Sequence, residues 1–423
     1  MSNVLVVQLA RFGDIVQTKR LLLSFTAQDD CEVSLCVDES MAGLARLLYP
    51  FARVFALPAH SAAGKNQSDI YALCRRVFAE LRSCGFDKVY LLNFSPLSFA
   101  LASLFEPGQL VGYARPHGQE MRGPWQGTAF NVMRDRRFAP INLVDLWAHM
   151  HPAPLPPEKV NPIPRQAGEK RIGIVMAGRA SRRSLPIPVL AACVQAVFQA
   201  RGGPQLVCLG SASERPLVRR LARELPSAAA GKIEDRTGQT SLTDLPELML
   251  GLDLVLTPDT GSMHLAAHLG VPVQAFFLSS AWCWETGPYG FGHKVWQAFT
   301  DCSPCLESEV CPRDTACLNA FAHTSFLAHL AGKFEPGWPQ GLLGCTSMLD
   351  DLGVTYKAVD GEDIYSDGRR ELRSGLAEHL GLAGAGVASA SMSTDFAEFL
   401  FREKDWMLPP NWPDVGFSGF CKG

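Results

Sequence analysis

No run of about eighteen or more uncharged apolar residues occurs anywhere in the chain, which argues against a membrane-spanning helix. No charged start leads into an apolar core with a cleavage site, so an export leader is not expected. Neither sign of charge prevails: 39 lysines and arginines against 42 aspartates and glutamates leave a net charge of −3. That balance gives no whole-chain attraction for nucleic acid. The expected location is the cytoplasm, with contact at the inner membrane face left open. Glycine is scarce where a dinucleotide site needs it, because Gly13 stands alone after the first predicted strand. A dehydrogenase is disfavoured accordingly. An acidic pair of the DxD kind after a strand is also missing, so catalysis is not expected to require a divalent ion on a diphosphate.

What is present is a chain of 423 residues, 47% of them hydrophobic, long enough for two domains with sizeable cores. Its thirteen cysteines, an odd number without an export signal, point to reduced thiols or a metal site over a disulfide framework.

The stretch from Leu252 to Phe277 organises the rest. Leu252 to Thr257 predicts a buried strand ended by Pro258, and a polar turn from Asp259 to Ser262 follows. A helix is predicted from Met263 to Leu269, stopped by Gly270, and a second strand from Val271 to Phe277. A helix that follows a parallel strand offers unpaired N–H groups and a positive dipole end, the place for an anion. Gly261 permits close backbone approach, Thr260 and Ser262 bring hydroxyls, and His264 lies in the first turn. Two readings stand: a phosphate site, or a helix cap at Asp259 or Ser262 with a core-edge histidine.

At the N-terminus, Val4 to Leu9 reads as a buried parallel strand and Ile15 to Phe25 as an amphipathic helix. Asp14 therefore sits at the carboxyl end of a strand, where open α/β sheets bind ligands, or serves only as a cap. Strands at 32–37, 53–57, 88–93 and 109–113 alternate with helices near 69–84 and 97–105, the grammar of a doubly wound sheet. Arg115, Arg122, Arg134, Arg136 and Arg137 follow; together they could receive an anionic acceptor, and singly they read as solvated surface. A helix at 142–150 precedes a segment with six prolines, from His151 to Gln166, that reads as a linker.

The second half repeats the pattern. A strand from Arg171 to Met176 leads into a turn containing Gly178, Arg182 and Arg183, whose arginines could clamp a pyrophosphate. A helix at 187–200 and a strand at 205–209 precede GSASE, where Glu214 could accept from ribose hydroxyls or act as a first-turn carboxylate. Thr240 to Leu242 is expected to begin the helix that leads into the organising stretch. The predicted units are 1–151, a linker at 152–166, 167–330, and an extension at 331–423.

These pieces resemble the family 9 glycosyltransferases, the lipopolysaccharide heptosyltransferases and their relatives. The resemblance rests on LVVQLARFGDIVQT, VGYAR, IGIVMAGRASRR, LGSASE, TPDTGSMHLAAHLGVPVQAFF and GPYG, in the family's order over most of residues 1 to 325. It implies a GT-B fold, two Rossmann-like domains facing a cleft, and inverting transfer of a sugar from a nucleotide donor. The usual donor is ADP-heptose and the usual acceptor a hydroxyl of the lipopolysaccharide core, a glycolipid. Asp14 matches the general base. Arg183 falls where the family usually has lysine, and Leu185 replaces the usual tryptophan. Asp259, Thr260, Gly261 and His264 match the diphosphate loop, with Gly178 and Arg182 beside it, and Glu214 matches the nucleoside position. Gly13, Arg115 and Arg122 are assigned to the acceptor side. The chemistry agrees, since an inverting displacement needs a base on one side of the anomeric carbon and leaving-group stabilisation on the other.

Cys302, Cys305, Cys311 and Cys317 form C-x2-C-x5-C-x5-C. They could enclose a structural zinc or iron, or remain packed, reduced thiols; cysteines hold iron in one protein-heptosylating branch of the family. Beyond residue 331 the resemblance fades. A strand is expected at 354–359, a helix near 369–380, a small-residue linker at 383–391 and an aromatic clasp around Trp406, Pro409, Pro410 and Trp412, with a return of the chain to the first domain implied by the fold. The expected function is a heptosyltransferase acting on a cell-envelope glycolipid. Transfer to a protein and an inactive sugar-nucleotide-binding scaffold are the alternatives.

Overall fold

The computed structural model describes residues 2–27, 30–60, 66–115, 118–119, 121–176, 181–306 and 309–382. The turn containing Gly178, the 383–391 linker and the Trp406 to Trp412 segment lie outside the described residues.

Six strands build the first sheet: β1 (Ser2–Gln8), β2 (Cys31–Asp38), β3 (Arg53–Leu57), β4 (Lys88–Leu91), β5 (Leu110–Ala114) and β6 (Met121–Arg122). Their order is β3-β2-β1-β4-β5-β6, and all neighbours are parallel except β5 and β6. Alternation along β1 explains the layering. Val4 and Val6 belong to one apolar cluster and Leu5 and Val7 to another, so both faces of the sheet are covered and the strand is aliphatic throughout.

The second sheet repeats the arrangement with β7 (Arg171–Val175), β8 (Gln205–Leu209), β9 (Ile233–Asp235), β10 (Leu254–Pro258), β11 (Val273–Phe277) and β12 (Lys294–Ala298), then adds β13 (Leu342–Leu349) and β14 (Val354–Asp360). The order is β14-β13-β12-β11-β10-β7-β8-β9. Only the pairs made by β13 are antiparallel. Leu254 and Leu256 face one core and Val255 the other. The expected doubly wound architecture is present in both halves.

Two local expectations are corrected. The single helix at 15–25 is two helices, Phe12–Gln17 and Lys19–Thr26, because the Thr18 hydroxyl donates to the Asp14 carbonyl at 2.8 Å, a back-bond that bends helices. The helix expected from Thr240 begins at Leu245. Ser241 is instead engaged with Thr243 and Asp244 in a local turn.

The C-terminal part ties the lobes together. After β14, the Ser366–His379 helix lies against the first lobe: Arg369 donates to the Arg137 carbonyl at 2.9 Å and Arg373 to that of Pro140 at 2.5 Å. Leu376 packs with Val132 and Ile141. The turn between β13 and β14 reaches the same lobe. There Asp145 accepts from Arg20 at 2.6 Å, from the Tyr289 hydroxyl at 2.7 Å and from the Val354 N–H at 2.8 Å. Burial pushes the Asp145 carboxyl above its ordinary pKa, with the Arg20 charge opposing. No helix among the described residues is long and apolar enough to cross a membrane.

Candidate active site

Each sheet reverses its winding direction at one place, between β1 and β4 in the first and between β7 and β10 in the second. Open α/β sheets bind ligands outside the carboxyl ends of strands at such switch points. The chain after β1 leads into the helix whose first turn holds Asp14, and the chain after β10 passes through Asp259 and Thr260 into the helix that Gly261 opens.

In the second lobe, Thr260 is the N-cap of the Gly261–His268 helix and its side chain accepts from the Met263 N–H. The helix therefore starts directly at the end of β10, with its first N–H groups directed out of the sheet. Asp259 is nearly buried and well partnered. Arg183, from the Ser181–Arg183 turn, is ion-paired with it, Thr286 donates to its Oδ2 at 2.9 Å, and His264 Nε2 lies 3.8 Å from its Oδ1. Burial lowers the His264 pKa to about 4 against the pull of Asp259, so its imidazole is neutral near pH 7. Asp259 thus gathers Arg183, Thr286 and His264 around one carboxylate.

The two helix starts meet. A Cβ on Gly13 would stand 3.0 Å from His264 Cδ2 and 3.3 Å from Gly261 Cα, and a Cβ on Gly261 would fall 2.2 Å from the Phe12 ring. The first helix of one lobe thus lies directly on the start of the Gly261–His268 helix of the other. Asp14, half-buried, accepts from its own Arg11 N–H at 3.0 Å, closing a capping box. The cap and the placement at the interlobe crevice coexist.

The remaining sequence-derived residues are spread more widely. Glu214 closes a capping box with Ser211, whose N–H it accepts at 2.6 Å. Arg182 donates to the carbonyls of Glu309 at 2.6 Å and Leu306 at 3.0 Å, bracing the cysteine loop. The Arg115 guanidinium lies over Phe94 and Phe99. Arg122 occupies the short β6, its backbone paired with Tyr113.

Arg136, read singly as surface, is instead mostly buried and grips Glu285 with distances of 2.8 and 2.5 Å. It also donates to the Ser280 carbonyl at 2.8 Å. This pair joins the lobes beside Asp259, whose charge bears on both partners. Glu285 and Thr286 escaped the sequence reading. Their only signal was a position immediately before GPYG.

The four clustered cysteines line one cavity with Arg182 and Ser279. The Cys311 thiol is held below its ordinary pKa by N–H donation from Arg313 and Thr315, whereas burial raises that of Cys317. Among the described residues, no three histidine, cysteine, aspartate or glutamate side chains are grouped so that they could hold a metal ion.

Two doubly wound lobes meeting at their switch points make a GT-B fold. Residues 167–314 match the family model described as Glycosyltransferase family 9 (heptosyltransferase). Solved structures agree on the fold. ADP-heptose lps heptosyltransferase II of E. coli is 16% identical, with 68% of this chain and 88% of that one covered at a TM-score of 0.51. For the E. coli heptosyltransferase WaaC with ADP the values are 18%, 68%, 91% and 0.51. A family 9 glycosyl transferase from Veillonella parvula gives 16%, 71%, 88% and 0.56. No curated protein matches the sequence.

Proposed function

We propose that this glycosyltransferase moves a heptose, or a closely related sugar, from an ADP-linked donor to a hydroxyl of the lipopolysaccharide core or another cell-envelope glycan. Transfer inverts the anomeric centre and takes place at the inner membrane face. Asp14 removes the acceptor proton. Arg183, neutral His264 and the N-terminus of the Gly261–His268 helix receive the negative charge that develops on the departing diphosphate, while Glu214 contacts the nucleoside. Protein cations and helix N–H groups take the part that a divalent ion plays elsewhere. The observation that carries this reading is the interlobe contact of Gly13 with His264 and Gly261, which supports a base and a leaving-group site sharing one crevice.

The test has two arms. Asp14→Asn is expected to lower turnover by about 10²- to 10⁴-fold while donor affinity, measured by calorimetry, is kept; wild-type turnover in this variant would remove Asp14 from the mechanism. A thermal-shift panel of ADP-, UDP- and GDP-sugars identifies the donor. Stabilisation by UDP- or GDP-sugars with no response to ADP-sugars would overturn the heptose assignment.

A further inference from the structure

The switch point of the first sheet has a second loop beside the chain that leads to Asp14. Strands β1 and β4 run in register, with Val7 opposite Leu91, and the chains that leave them stay joined. Asn93 accepts from the Leu9 N–H at 2.5 Å and donates to Gln8 Oε1 at 2.6 Å. The next residue is Phe94, and its large apolar side chain is 45% exposed.

Phe94 is held in a fixed orientation despite that exposure. Phe99 meets it edge-on, with centroids 5.0 Å apart and planes at 90°, and Tyr113 at the end of β5 does so at 6.2 Å and 83°. The Arg115 guanidinium lies 5.4 Å from the Phe94 centroid and 5.0 Å from that of Phe99. Phe94 belongs to neither apolar cluster of this lobe, so core packing does not explain the arrangement. With 45% of Phe94 exposed, the ring surface that its neighbours do not cover can pack against a ligand, and the Arg115 cation over the ring adds affinity for an anionic group. That combination suits a sugar ring bearing a carboxylate or phosphate: its C–H face lies on the aromatic ring, and its charge meets the guanidinium.

We infer that Phe94, braced by Phe99 and Tyr113 and flanked by Arg115, is the platform on which a ring of an anionic glycan acceptor stacks, next to the chain that leads to Asp14. The inference rests on the glycosyltransferase reading above and deepens it by naming the acceptor's chemistry.

The probe is O-deacylated lipopolysaccharide core, with ADP-heptose as donor. Phe94→Ala is expected to raise the KM for the core about tenfold and leave the KM for ADP-heptose and kcat unchanged, and Phe94→Trp is expected to restore the acceptor KM. Phe94→Leu keeps the apolar bulk and removes the π face, so it tests the platform if the alanine variant fails to fold. Saturation-transfer NMR on the unreacted core supplies a readout independent of turnover, in which its ring protons lose saturation in the leucine variant. An unchanged acceptor KM with unchanged saturation would overturn the inference. If the wild type binds ADP-heptose but neither binds nor glycosylates the core, the platform falls and the donor reading stands. If the core binds through Phe94 and ADP-heptose does not bind, the platform stands and the transfer reading falls.

Discussion

The Phe12 ring sits against the α-carbon of Gly261, so closely that a methyl group there would fall 2.2 Å from its Cδ1. One residue opens the first helix of the first lobe, and the other opens the helix after β10.

Gly261→Ala is therefore expected to push the lobes apart at the crevice. Overpacking of this kind costs about 1–3 kcal/mol, and on the proposed mechanism transfer should fall by more than donor affinity, because the proposed donor loop survives while the proposed base, Asp14, is displaced. Urea unfolding and paired measurements of turnover and donor binding check this. A Gly261→Ala enzyme with wild-type turnover would mean that the two helices separate during the reaction.

Asp145 makes a second interlobe prediction. Its partner Arg20 is 1% exposed, and removing the carboxylate leaves that charge buried without its counter-ion. Asp145→Ala is expected to cost about 3–5 kcal/mol in chemical unfolding. A loss below about 1 kcal/mol would show that water reaches the guanidinium and that this region packs more loosely.

Acid should weaken the fold over a defined window. Burial lowers the pKa of His149, His264 and His293 to about 4 and that of His268 to about 3. The unfolded chain takes up these protons near pH 6.5, whereas the folded chain refuses them until about pH 4. Stability is thus expected to fall as pH drops from about 6.5 to 4, by up to about 1.4 kcal/mol per pH unit for each histidine. Urea midpoints across that range test the slope, and His268→Gln should flatten it.

Much of the architecture was legible because buried parallel strands announce themselves. The strands at 53–57 and 205–209 and the helix at 187–200 coincide with the sequence reading residue for residue, since each is an apolar run bounded by polar or breaking residues. The strand, turn and helix from 254 to 268 were visible for the same reason, a proline and a glycine punctuating two such runs. What the sequence could not reveal was pairing across distance. Arg136 looked like one more surface charge in an arginine-rich stretch, and its partner Glu285 lies 149 positions away. Residues 354–359 read locally as an ordinary strand, but nothing local says that they pair with 342–349 to extend the second sheet or that the turn between them docks on the first lobe. The break at Thr18 depends on one hydroxyl choosing a carbonyl, a choice that hydrophobic periodicity does not record.

Gly353 lies in that docking turn with a φ of +146°, and a side chain there would overlap the Asp145 carboxylate, 2.0 Å away. The N-terminal lobe thus borrows a hydrogen bond from Val354, a residue translated more than two hundred codons after Asp145 itself. The Arg20–Asp145 pair of the first lobe therefore has its hydrogen bonding completed by a strand of the second sheet. Cutting the chain between the lobes would consequently leave that carboxylate short of one donor, so the first lobe is not self-sufficient in its buried hydrogen bonds.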